Sequence, residues 1–128
     1  ADADGLYNSP SEVRGSADAN FTGWGRCPSG MDDGVFRFET IKPGRVPYPD
    51  GRMQAPHVTL WIVARGINIG LQTRMHFPEE EAANAEDPIL GRVEHRVRVP
   101  TLIAQREGNV YTFDIRLQGE NETVFFDI

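Results

Sequence analysis

The sequence predicts an all-β fold, a β-sandwich of mainly antiparallel strands with long loops and one or two short helices. Three features carry that expectation: several runs alternate apolar with polar residues, Gly and Pro punctuate them at short intervals, and only two segments have even weak helical character. The 128 residues suit one core, so a single domain over 1–128 is expected.

Residues 5–34 hold Gly, Ser, Pro, Asn and Asp without apolar periodicity, and read as a long irregular excursion marked by Phe21 and Trp24. After the turn Asp32-Asp33-Gly34, Phe36, Phe38 and Thr40 alternate with Arg37 and Glu39, a strand with one buried face that ends at Lys42-Pro43-Gly44. Pro47, Pro49, Asp50-Gly51 and Pro56 make 45–56 a turn-rich connection. The run 57–65 is nearly continuously apolar, with Val58, Leu60, Ile62 and Ala64 on one face and His57, Thr59, Trp61, Val63 and Arg65 on the other. It predicts a central strand covered on both sides. Leu71, Thr73, Met75 and Phe77 form the next strand, stopped by Pro78. The acidic, Ala-rich 79–86 favours one or two helical turns, and 101–106, after Pro100, is a second short helical candidate. Tyr111, Phe113, Ile115 and Leu117 alternate until Gly119, and 123–126 supplies a last strand.

Thirteen Lys and Arg against nineteen Asp and Glu give a net charge of -6, which repels a polyanion, so no nucleic-acid partner is expected. The longest apolar run, 58–64, falls far short of the roughly 18 residues of a membrane span, and no membrane role is expected. Lys42 is the one lysine, so any cationic site is built of arginine, which suits planar carboxylates. The single cysteine, Cys27, has no internal disulfide partner and favours a reducing, cytoplasmic location. The start at Ala1, with no Met and no leader-like pattern, reads as a processed or truncated chain.

Candidate chemistry is sparse. Asp2-Ala3-Asp4-Gly5 lacks the further oxygen ligands of a calcium loop, Asn20-Phe21-Thr22 and Asn121-Glu122-Thr123 match a common glycosylation triplet, and Cys27 reads as a small buried residue. His57, His76 and His95 stand nineteen residues apart, without the close spacing of a helix-borne or finger-type metal site. His57 alone reads as a core histidine, and Tyr7 and Tyr48 as structural. Arg65 ends an apolar strand ahead of Gly66-Ile67-Asn68-Ile69, so its guanidinium meets either water or an anion. In one extended strand His57 and Arg65 stand roughly 26 Å apart, too far to share a small site.

Several segments together carry a resemblance: Ala1-Asp2-Ala3-Asp4-Gly5, Gly25-Arg26-Cys27, Phe38-Glu39-Thr40-Ile41-Lys42-Pro43-Gly44, Ala55-Pro56-His57, Ala64-Arg65-Gly66-Ile67-Asn68-Ile69 and the close from Gln118 to Asp127. Over nearly its whole length the chain resembles the intradiol ring-cleavage dioxygenases, and among them the α chains of the two-chain members. The resemblance implies a β-sandwich, a non-haem Fe(III) centre and cleavage of protocatechuate by O2 to 3-carboxy-cis,cis-muconate. It implies that two tyrosines and two histidines hold the iron in the β chain. Tyr7 falls on the first tyrosine, Val46 on the second, His57 on the first histidine and Thr59 on the second.

With two of four ligands left, this chain is expected to hold no metal and to contribute no catalytic residue of its own, Fe(III) being bound by a β partner in an (αβ)n assembly. Tyr48 replaces the missing phenolate only if the loop slips by two residues. Arg65 is the expected substrate-pocket residue, its fixed charge suiting an anionic aromatic. Two other readings stay open: an autonomous dioxygenase using Tyr7, Tyr48 and His57, and a purely structural module. The family's α chains extend well before the motif at Ala1, so the family's N-terminal segment is expected to be missing here, and the chain alone is expected to be poorly soluble.

Overall fold

The computed structural model describes residues 1–127. The chain divides into two compact units, Ala1–Val46 and Pro47–Ile128.

The first unit contains no helix or strand among the described residues, and turns and side-chain-to-backbone bonds order it instead. Its hub is Asp2, only 3% exposed, whose carboxylate accepts the N–H groups of Asp4 (3.0 Å), Leu6 (2.9 Å) and Asp18 (2.9 Å). The N–H of Gly44 meets the Asp2 carbonyl at 2.8 Å. A Cβ at Gly5 (φ +80°) would lie 2.1 Å from the Arg45 carbonyl oxygen, and one at Gly44 2.5 Å from that of Ala3, so two glycines let segments 1–6 and 44–45 pack backbone to backbone. The expected strand around Phe36, Phe38 and Thr40 does not form. Those residues have no ladder partner among the described residues, and Phe38 is 47% exposed. Alternation specifies a strand only where a second strand satisfies its backbone. Cys27, expected to be buried, is exposed, its thiol 3.3 Å from the Pro28 carbonyl.

The second unit is built on an antiparallel hairpin of β1 (His57–Ile62) and β2 (Leu71–His76), with His57 opposite His76 and Ile62 opposite Leu71. The Ala64 carbonyl accepts the Ile67 N–H (3.2 Å) and Gly66 takes φ +81°, the pattern of a type II turn with Arg65 and Gly66 at its corners. A short helix, α1 (Glu81–Glu86), follows the Pro78 stop. Next come a 3₁₀ turn (Leu90–Arg92) and a longer 3₁₀ segment (Arg96–Leu102) containing Pro100. The helix expected at 101–106 does not form, because Thr101 and Leu102 end that 3₁₀ segment and residues 105–107 enter a second hairpin, β3 (Gln105–Glu107) with β4 (Val110–Thr112). Gly108, at φ +61°, is the first of its two turn residues.

β2, rather than β1, is the inner strand. Beyond it, Gln72 bridges Phe126 and His76 bridges Ile103, and the Thr73 hydroxyl donates to the Val124 carbonyl at 2.8 Å. β1 pairs only with β2 among the described residues, which leaves Thr59 and Trp61 exposed, contrary to the expected two-sided cover. The core gathers on the other side of β2: Leu90, Val93 and Leu102 are buried, with Val99, Ile103, Val124 and Phe126 packed against them. The regular structure is thus mainly antiparallel strands with short helices, as the alternation predicts. The last strand survives as the single bridge at Phe126, and the 111–117 run as β4 alone.

Candidate functional site

The hairpin register brings two histidines face to face. His57 opens β1 and His76 closes β2, so a hairpin whose register is centred between Gly66 and Ile67 sets them opposite each other, with rings stacked at 5.7 Å and 29°. Asp87, just after α1, joins them. Its Oδ1 accepts the N–H groups of Ile89 (2.7 Å) and Leu90 (3.0 Å), capping the 3₁₀ turn, and its Oδ2 accepts that of Ala55 (2.7 Å). Three backbone bonds therefore fix a carboxylate that is 2% exposed. Oδ2 also stands 3.6 Å from His76 Nε2, an ion-pair distance too long for a hydrogen bond. One ligand atom from each of His57, His76 and Asp87 lies within 4.8 Å of the others.

The electrostatics keep two members of the cluster, His57 and Asp87, unprotonated at neutral pH. Burial lowers the His57 imidazole to about 4, with the nearby Arg74 and His76 charges adding to the effect against the bond to Ala55. Burial pushes the Asp87 carboxyl up, but the His76 imidazole and the N–H groups of Leu90 and Ala55 outweigh it and hold it well below the usual range. Both ring nitrogens of His76, which is fully buried, lack a hydrogen-bond partner. His57 Nδ1 sits 2.8 Å from the Ala55 carbonyl, so with Nδ1 protonated the lone pair is left on Nε2.

Sequence spacing missed His76 and Asp87 as partners of His57. The nineteen-residue interval is the two arms of one hairpin plus its loop, and pairing the runs 57–65 and 71–77 about Gly66 was the signal that could have found it. His95 stands apart from the cluster, exposed before the long 3₁₀ segment.

The four positions expected from the iron pattern divide between the units. Tyr7, 44% exposed, lies in the first unit with the Arg14 guanidinium 5.8 Å above its ring. Val46, also there, is a buried aliphatic with no donor atom. Thr59 is exposed on β1. One phenol, one imidazole and one hydroxyl do not make the anionic oxygen-rich set that Fe(III) favours, so these residues do not fit the ferric centre. Tyr48 does not repair it: its hydroxyl takes a hydrogen bond from Arg92, whose guanidinium lies 5.3 Å over the ring. Asp2 is no calcium ligand in waiting either, since its carboxylate is spent on three backbone N–H groups. Arg65 sits at the exposed corner of the β1–β2 turn, and its guanidinium makes no hydrogen bond or ion pair among the described residues.

No family model matches the chain. Among curated proteins it is 44% identical, over 99% of its length, to the protocatechuate 3,4-dioxygenase alpha chain of Pseudomonas putida. The similarity to that alpha chain runs along almost the whole of this one. The corresponding alpha chain of Burkholderia cepacia is 40% identical over 98% of the chain, and the beta chain of Burkholderia cepacia 32% over 83%. The chain spans 63% and 64% of the lengths of the two alpha chains.

Proposed function

We propose that this chain is the α subunit of a protocatechuate 3,4-dioxygenase, an oxidoreductase in which intradiol, O2-dependent cleavage of protocatechuate takes place at a ferric ion held by a β subunit. The observation that carries the reading is the 44% identity to an alpha chain along 99% of this one, set beside iron positions occupied by a buried valine and an exposed threonine. The antiparallel pairs are read as parts of a β-sandwich, docked on the β subunit in an (αβ)n assembly, and the location is the cytoplasm.

Within that assembly Arg65 is the residue assigned to the substrate. It stands on a turn rather than inside a ladder, it is exposed, and no acidic neighbour neutralises it among the described residues, so its charge is available to an anionic aromatic. Its planar fork matches a carboxylate. In the αβ enzyme, Arg65→Ala is expected to lower kcat/KM for protocatechuate roughly tenfold or more, the scale of one charge-assisted hydrogen bond. Unchanged kcat/KM would remove Arg65 from the site and favour the purely structural reading. Metal analysis of the complex beside this chain alone is expected to find iron only with β. A tyrosinate-to-ferric absorption band from this chain by itself would instead establish an autonomous centre.

A further inference from the structure

We propose that His57, His76 and Asp87 form a binding site for a divalent cation of the zinc class. The inference does not rest on the enzyme reading above, and it departs from the expectation of a chain that holds no metal.

Buried polar atoms in folded proteins are almost always satisfied, and an exception calls for a ligand or a role. His76 is such an exception: it is 0% exposed, and neither ring nitrogen has a hydrogen-bond partner, Asp87 standing at ion-pair distance only. Its Nε2 faces Asp87 Oδ2 at 3.6 Å, with the His57 ring stacked alongside. An ionised carboxylate offers about four acceptor positions. Three of those on Asp87 are taken by the N–H groups of Ala55, Ile89 and Leu90, and the one left over belongs to Oδ2, the oxygen turned toward His76. The carboxylate is therefore both fixed and one bond short.

The support around the cluster is of the kind metal-ligating residues have. A ligating histidine usually gives its other N–H to a backbone carbonyl or carboxylate, and the Ala55 carbonyl stands 2.8 Å from His57 Nδ1. Ala55 thus braces two of the three residues at once, through its carbonyl to His57 and its N–H to Asp87. Donors bound at about 2.0–2.2 Å around a tetrahedral ion stand about 3.3–3.6 Å apart, so a set within 4.8 Å needs only a modest contraction to close.

The donor chemistry names the ion. Two imidazoles and one carboxylate, without thiolate or phenolate, suit a borderline divalent cation with one position open to water. Calcium and magnesium prefer all-oxygen sets. Arg74, in β2, carries a positive charge close enough to act on His57, and it sets the affinity below that of a site ringed only by acids.

The test uses the full chain, stripped with a chelator and titrated at neutral pH with Zn2+ alone, then with Co2+. One Zn2+ per chain is expected, together with a rise in Tm and, for Co2+, the intense visible absorption of a four-coordinate ion. His57→Gln, which keeps volume at a half-buried position, should weaken Zn2+ by about 100-fold or more and abolish the Tm rise. Asp87→Asn should do the same, with circular dichroism checking that the turn it caps still folds. His95→Gln should leave binding unchanged. Absence of stoichiometric Zn2+ overturns the proposal, as does binding that survives in a folded His57→Gln variant. Neither result bears on the iron content of the αβ complex or on the Arg65→Ala kinetics.

Discussion

Glu12 shows how much a single side chain does in a unit without ladders. Its Oε1 accepts from Arg14 Nε and its Oε2 from Arg14 Nη2 and the Tyr7 N–H, and the same Arg14 Nη2 donates to the Gly5 carbonyl at 2.7 Å. The Arg14 guanidinium, with the Tyr7 and Arg14 backbone N–H groups, draws the Glu12 carboxyl from 4.5 down to about 2. A carboxyl depressed on folding stabilises fully above its unfolded value and loses that contribution as pH falls. Between pH 4.5 and 2 the link from Tyr7 to Arg14 is therefore expected to loosen. Carboxyl-carbon NMR should give a Glu12 midpoint near 2, with the Tyr7 and Arg14 amides moving in step, and a midpoint near 4.5 would show that the link does not form in solution. None of this is visible in the sequence, where Glu12 and Arg14 are two charges in an irregular stretch. The same holds for Asp87: its acidity is legible, but its three backbone partners depend on where residues 55, 89 and 90 arrive.

At the scale of elements, β1 and β2 were legible because alternation, β-branched residues and the Pro78 stop all agree. The strand expected near Phe36 and Phe38 has equally good alternation and fails, since pairing depends on a second backbone that local pattern does not report. Burial order within the hairpin was misjudged for a related reason: apolar content marks β1 as central, whereas the hydrogen bonds from Thr73 and Phe126 make β2 the inner strand. Thr73 is 0% exposed, and its hydroxyl joins β2 to the segment at Val124. Thr73→Val keeps the shape and removes that donor, leaving a carbonyl unpaired in a part-buried setting. A loss of about 1–3 kcal/mol is expected by urea denaturation. A change below a few tenths of a kcal/mol would mean water replaces the hydroxyl without cost.

For the whole molecule, the notable quantity is how little apolar surface is hidden. Among the described residues the buried apolar ones are Val46, Ala55, Phe77, Ala83, Ile89, Leu90, Val93, Leu102 and Ala104, three of them alanines, whereas Val13, Trp24, Met31, Val63 and Val97 are each more than 70% exposed. With so few large buried side chains, each should matter: Leu102→Ala, in the centre of the cluster, is expected to cost about 2–5 kcal/mol and to abolish cooperative unfolding of the second unit. The exposed side chains predict concentration-dependent self-association of the isolated chain, measurable by sedimentation. A stable monomer at high concentration would show that this surface needs no cover. The net charge of -6 opposes association without removing it.

The indole of Trp61 lies so close over Gly70 that a Cβ there would come within 2.2 Å of the ring, and the residue is nevertheless 65% exposed. The other tryptophan, Trp24, is 73% exposed and belongs to the first unit. Each half of the chain thus carries its own fluorophore, and replacing either one by Phe leaves an emission signal from a known half. Melting, quenching by iodide and the spectral shift on meeting a partner can then be followed separately for the turn-built and the strand-built parts of the same polypeptide.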